Sequence, residues 1–194
     1  MYLVILKNYH STIEDIINTH EDIKPREVWT VWRDPWRRFI SGIWHDIVQH
    51  QQTRTPKTID HYFTEIKDKL RDKDWLKKMM MGVNKQHDES GHMQPQWIQV
   101  KRELNRYRIT EGSVRVYVSL RDGILSHFPG CHKMPWINPM PSGIAHNIEY
   151  EIRAVYPDIR HIHYFYKDQE LWQELNKNMY GYADIAVDKF QKGI

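Results

Sequence analysis

A chain of 194 residues, 40% hydrophobic and 27% charged, is long enough to bury a core and fits one domain, residues 1–194. A mean hydropathy of −0.74 and the lack of any apolar run near the ~20 residues of a spanning helix argue against a membrane protein. A net charge of +3 is too small to make a polyanion such as DNA an obligate partner, and the lone Cys131 excludes internal disulfides and thiolate zinc sites, so a reducing, cytoplasmic setting is the default.

The opening "MYLVIL" reads as a short strand covered on both faces, too short for a signal-peptide core. "KNYHST" follows as a loop. "IEDIINTH" then reads as a helix with Ile13, Ile16 and Ile17 on one side and Ser11 or Thr12 as its N-cap. "EVWTVW" is a second strand, and Asp34-Pro35 makes a good cap and first-position pair for a second helix. Trp36, Phe39, Ile40, Ile43, Trp44 and Ile47 recur in it at three- and four-residue steps, so one face is core. A polar break leads to an expected helix over residues 59–81, then to a loop-like stretch over 82–97. "VRVYVSL" is a third strand, and "FPGCHKMPWINPMPSG", with four prolines, is irregular. In the last part, "SGIAHNIEYEIRAVYP" and then "YKDQELWQELNKNMYGYADIAVDKF" read as helices. Strands alternating with helices predict an α/β domain with a central, mainly parallel sheet flanked by helices.

Two strand-to-helix turns suit phosphate. In an open α/β sheet, ligands sit beyond the carboxyl ends of the strands, where helix N-termini aim backbone N–H groups outward. The first turn offers Lys7, Asn8, Ser11, Thr12 and the N–H of Ile13; the second offers Arg33 at the strand end and Ser41 within the helix. A lysine followed by Ser-Thr at a helix start is often only a cap. The first turn also lacks the glycines and spacing of G-x-x-x-x-G-K-[ST], so a P-loop NTPase is not supported. In the second turn, Arg37 and Arg38 oppose the helix dipole, which favours a bound anion nearby.

"WRDPWRRFIS" resembles the 3′-phosphate-binding segment R-D-P-x-x-R-x-x-S of carbohydrate sulfotransferases, with Arg33, Asp34, Pro35, Arg38 and Ser41 in register. "LKNYHST" is similar to that family's 5′-phosphosulfate loop P-K-x-x-x-[ST]-[ST], with Lys7, Ser11 and Thr12 matching. "HMQPQ" (residues 92–96) resembles its H-x-x-P-Q segment, "MPWIN" its L-P-x-x-N element, and "YFYKDQELW" its C-terminal Y-x-x-D-x-x-L/F helix, through Asp168 and Leu171. These matches fall in the family's chain order and cover most of the chain. They depart at Leu6, where the family has proline, and at Tyr9-His10, where it has small residues.

The resemblance implies a P-loop-like sulfotransferase fold and transfer of a sulfuryl group from 3′-phosphoadenosine-5′-phosphosulfate (PAPS) to a hydroxyl or amine, leaving PAP. It implies Arg33 and Ser41 on the 3′-phosphate, Arg38 either beside them or structural, and the Lys7 loop on the 5′-phosphosulfate. Lys7 would then neutralise the leaving phosphate. The general base is expected at His92, with Glu14 and His10 as rivals. No metal is needed, and His161 and His163 without a third ligand make no site. The acceptor is expected to be a small molecule or a saccharide. Trp44, Trp97 and Trp136 are either walls of a sugar cleft or core. Two other classes compete: a non-catalytic nucleotide or anion binder of the same fold, and a small kinase. The kinase needs an acidic Mg²⁺ ligand, for which Asp34 is the only candidate and a better N-cap.

Overall fold

The computed structural model describes residues 28–45, 59–80, 93–118, 143–158, 163–177 and 181–192. The expected strand at 1–6, the helix after it and the proline-rich stretch lie outside the described residues. Among those described, three strands and seven helices follow one another as β1 (Trp29–Trp32), α1 (Pro35–Ile43), α2 (Ile59–Leu70), α3 (Lys73–Met80), α4 (Gln96–Arg106), β2 (Ser113–Val118), α5 (Ile144–Val155), α6 (His163–Lys177), β3 (Tyr182–Ala186) and α7 (Val187–Lys192). The architecture is α/β. No described helix is long and apolar enough to cross a membrane. The chain forms two compact units: Met1–Pro35 with Pro95–Asn138 and Lys167–Ile194, and Trp36–Gln94 with Pro139–Tyr166.

The first unit holds the sheet, in the order β1-β2-β3. β1 runs parallel to β2 with Trp29 opposite Arg115, and β2 runs antiparallel to β3. The described sheet is therefore mixed. Side-chain alternation explains its two faces. Val114 and Val116 lie opposite Ile185 and Ala183 and turn into the core with Val100, Leu104 and Phe190. On the other face Arg115 lies opposite Asp184, and Tyr117 opposite Tyr182. Arg115 pairs with the Asp184 carboxylate at 2.9 Å and stacks over the Tyr182 ring at 4.8 Å. Trp29 meets Tyr117 edge to face, with centroids 5.9 Å apart.

Residues 182–186 correct the expected run of helix through the C-terminal part. Gly181, at φ 68°, turns the chain in a conformation that side-chain-bearing residues avoid, and the next five residues pair with β2. Tyr-Ala-Asp-Ile-Ala has no strong strand preference of its own; its partners on β2 decide the outcome. α4 is a second correction, because the expected loop over 82–97 runs into a helix beginning at Gln96. Its buried stripe is Gln96, Gln99, Val100, Glu103 and Leu104, helical in spacing but polar at three of five positions. Hydrophobic periodicity cannot reveal such a helix.

The second unit is helical where it is described. Of the residues its spacing marks, α1 buries Trp36, Phe39, Ile40 and Ile43 and the turn after it buries Trp44, while Ile47 lies outside the described residues. The buried ones pack with Ile66, Leu70, Leu76, Ile148 and Ile152 from α2, α3 and α5. The single helix expected over 59–81 is two, because Asp72 interrupts it. Its carboxylate accepts from the N–H groups of Asp74 and Trp75 at 2.9 and 3.1 Å, capping α3. Glu151 of α5, only 4% exposed, is held by Arg71 and by Lys67, whose Nζ is 3.3 Å from its carboxylate. A buried carboxylate needs such partners.

Candidate functional site

β1 is fully covered along its length and stops at Trp32, so the next residue, Arg33, must find partners for its backbone outside the ladder. The Gln96 side chain supplies both. The Arg33 N–H donates to Gln96 Oε1 at 2.9 Å, and Gln96 Nε2 donates to the Arg33 carbonyl at 2.8 Å. The amide thus acts as a one-residue substitute for a neighbouring strand. Gln96 is fully buried.

Gln96 is itself held in place. It opens α4, and the residue at the cap position is Pro95, which has no side-chain acceptor for the first N–H groups of the helix. Asp168, from α6, fills that role across the sequence. Its carboxylate accepts from the Gln96 N–H at 2.7 Å and from the Trp97 N–H at 3.0 Å. A carboxylate at a helix N-terminus also meets the favourable end of the dipole. The Asp168 carbonyl accepts from Trp32 Nε1 at 3.2 Å, so the end of β1 and the start of α4 share one anchor. Asp168 is 1% exposed. Lys167 sits over the Trp97 ring at 4.7 Å.

In the second unit, Arg38 is 1% exposed and its Nη1 donates to the Gln94 carbonyl. Its neighbour Arg37 is exposed, and Ser41 is half-buried on the same helix. Trp44 lies in the apolar core of this unit, while Trp97 of the first unit is half-buried. Lys7, Asn8, Ser11, Thr12, Ile13, Glu14 and His92, with His10 and Trp136, lie outside the described residues. The two turns expected to clasp opposite ends of a nucleotide are therefore represented by the second.

Gln96 and Asp168 lie in two of the sulfotransferase-like segments, yet the sequence pattern by itself gives neither residue a role. The available signal was Pro95, which begins a helix without a cap of its own and so requires an acceptor from elsewhere. An open groove of about 380 Å³ in the first unit, lined by Glu170, Glu174, Lys177, Ile185 and Lys189 among others, includes none of the expected site residues.

No family model, curated protein or solved structure matches this chain.

Proposed function

We propose that the protein transfers a sulfuryl group from PAPS to a hydroxyl on a small or saccharide acceptor, in a cytoplasmic setting. The observation that carries this reading is the wiring of the second turn. Three of the sulfotransferase-like segments meet there through buried polar side chains: Gln96 of "HMQPQ" grips Arg33 of "WRDPWRRFIS", and Asp168 of "YFYKDQELW" grips Gln96. Matches scattered by chance along a chain have no reason to bond to one another.

In this reading Arg33 receives the 3′-phosphate through charge-assisted hydrogen bonds. Lys7 and the N–H groups of Ser11, Thr12 and Ile13 receive the 5′-phosphosulfate. The acceptor oxygen attacks sulfur in line, the bond from sulfur to the 5′-phosphate oxygen breaks, and the departing phosphate keeps the electron pair. His92 or Glu14 removes the acceptor proton. Catalysis is then mostly positioning and neutralisation of charge on the leaving group.

Thermal unfolding with nucleotides tests the reading. PAP is expected to raise the melting temperature well beyond ADP or Mg²⁺-ATP; at 100 times its Kd a ligand adds about 2.7 kcal/mol. A larger shift with Mg²⁺-ATP supports the kinase, and PAP binding without sulfate transfer across an acceptor panel supports the non-catalytic binder.

A further inference from the structure

Resting on the assignment of Arg33 to the 3′-phosphate, we propose that Gln96 and Asp168 are positioning residues that set the preference for a nucleotide carrying that phosphate. Four hydrogen bonds form the connection. Asp168 takes the first two N–H groups of α4, and the Gln96 side chain then takes both backbone groups of Arg33. Both residues are almost wholly removed from solvent, at 0% and 1% exposure. A buried glutamine and a buried aspartate are costly unless hydrogen-bonded, and these two spend their bonds on backbone groups, which serves the fold and a further purpose.

The purpose follows from what an arginine ligand requires. A guanidinium borne on a backbone free to rotate must be ordered when the anion arrives, and that cost is subtracted from affinity. Two bonds to one residue's N–H and C=O hold its backbone before the ligand comes. The Gln96 amide is in turn held by the first turn of α4, which Asp168 pins. The gain reaches only ligands that use Arg33. A nucleotide without a 3′-phosphate receives none of it.

That difference separates positioning from a merely structural role. Calorimetric titration of the full chain with PAP and with 5′-AMP, which lacks the 3′-phosphate, gives a ratio of affinities. Wild type is expected to prefer PAP, and Arg33→Ala to abolish the preference. Gln96→Met and Asp168→Asn are each expected to reduce the ratio about tenfold, about 1.4 kcal/mol, while the Kd for 5′-AMP stays put. A wild type without preference for PAP overturns the assignment of Arg33 and the inference with it. Preference lost in Arg33→Ala but intact in both other variants overturns the inference alone, as does an equal loss of both nucleotides. Hydrogen exchange on wild type keeps the test open if a variant fails to fold. The Arg33 amide is expected to be protected without nucleotide, and exchange at the rate of an unstructured peptide overturns the clamp.

Discussion

Arg37 and Arg38 are neighbours in sequence with opposite surroundings. Adjacent helix positions are about 100° apart, and it is Arg38, on the side of α1 away from Phe39 and Ile40, that is enclosed, while Arg37 is exposed. Arg38 spends at least one donor on the Gln94 carbonyl, and an enclosed guanidinium without such acceptors would be prohibitively costly. Arg33 differs from both, because its backbone is held by another side chain at a strand end. Its charge is therefore the one whose removal is expected to show in ligand affinity. Arg33→Ala should weaken PAP binding by roughly 1.5–3 kcal/mol, the value of a hydrogen bond to a charged group; calorimetry checks this, and unchanged affinity removes Arg33 from the site. Lys7→Ala should lower turnover far more than nucleotide affinity, because its charge acts on the leaving group as the bond breaks. Steady-state kinetics beside equilibrium binding separates the two effects, and equal losses would make Lys7 a binding residue only.

Among elements, the boundaries rest on single side chains. The break between α2 and α3 depends on Asp72, so Asp72→Ala should destabilise the protein by about 0.5–2 kcal/mol, the usual worth of an N-cap. Urea unfolding measures it, and no loss would mean that packing of Leu70 and Leu76 alone sets the break. α7 carries an ion pair one turn apart, with Lys192 Nζ 2.8 Å from the Asp188 carboxylate. The hydrogen bond from Lys192, and then its charge, hold the Asp188 carboxyl below its ordinary 3.8. The same bond raises Lys192 above its ordinary 10.5. The contribution of Asp188 is therefore present above pH 3.8 and lost as pH falls through the lowered value. That of Lys192 is present below pH 10.5 and lost as pH rises through the raised one. The pair supports α7 across the whole neutral range. In an NMR titration, Lys192→Ala should move the Asp188 midpoint upward toward 3.8; an unmoved midpoint would detach the shift from this partner. Both groups face solvent, so salt should weaken the effect. β3 depends on a neighbour as well, through the Arg115–Asp184 pair and the Tyr117–Tyr182 contact, whose centroids are 5.7 Å apart.

Across the whole molecule, the sequence made legible what repeats at short range. The stripe of α1, the alternation in β2 and the helix over residues 144–155 follow from side-chain period, because a period of 3.6 or 2 places like residues on one face, and the strand ending at Trp32 follows from a short apolar run covered on both faces. The candidate turn was legible too, since Arg33, Pro35 and Ser41 are close together in the chain. Tertiary structure alone decided three things: that residues 182–186 form an antiparallel edge, that a helix with a half-polar stripe begins after Pro95, and that Gln96 and Asp168 hold the end of β1. The physical reason is common to all three. Each depends on a hydrogen-bond partner at least 60 residues away in the chain, and a backbone group's need for a partner is visible in a sequence only as an absence, whereas the side chain that meets it is found only once the chain has folded.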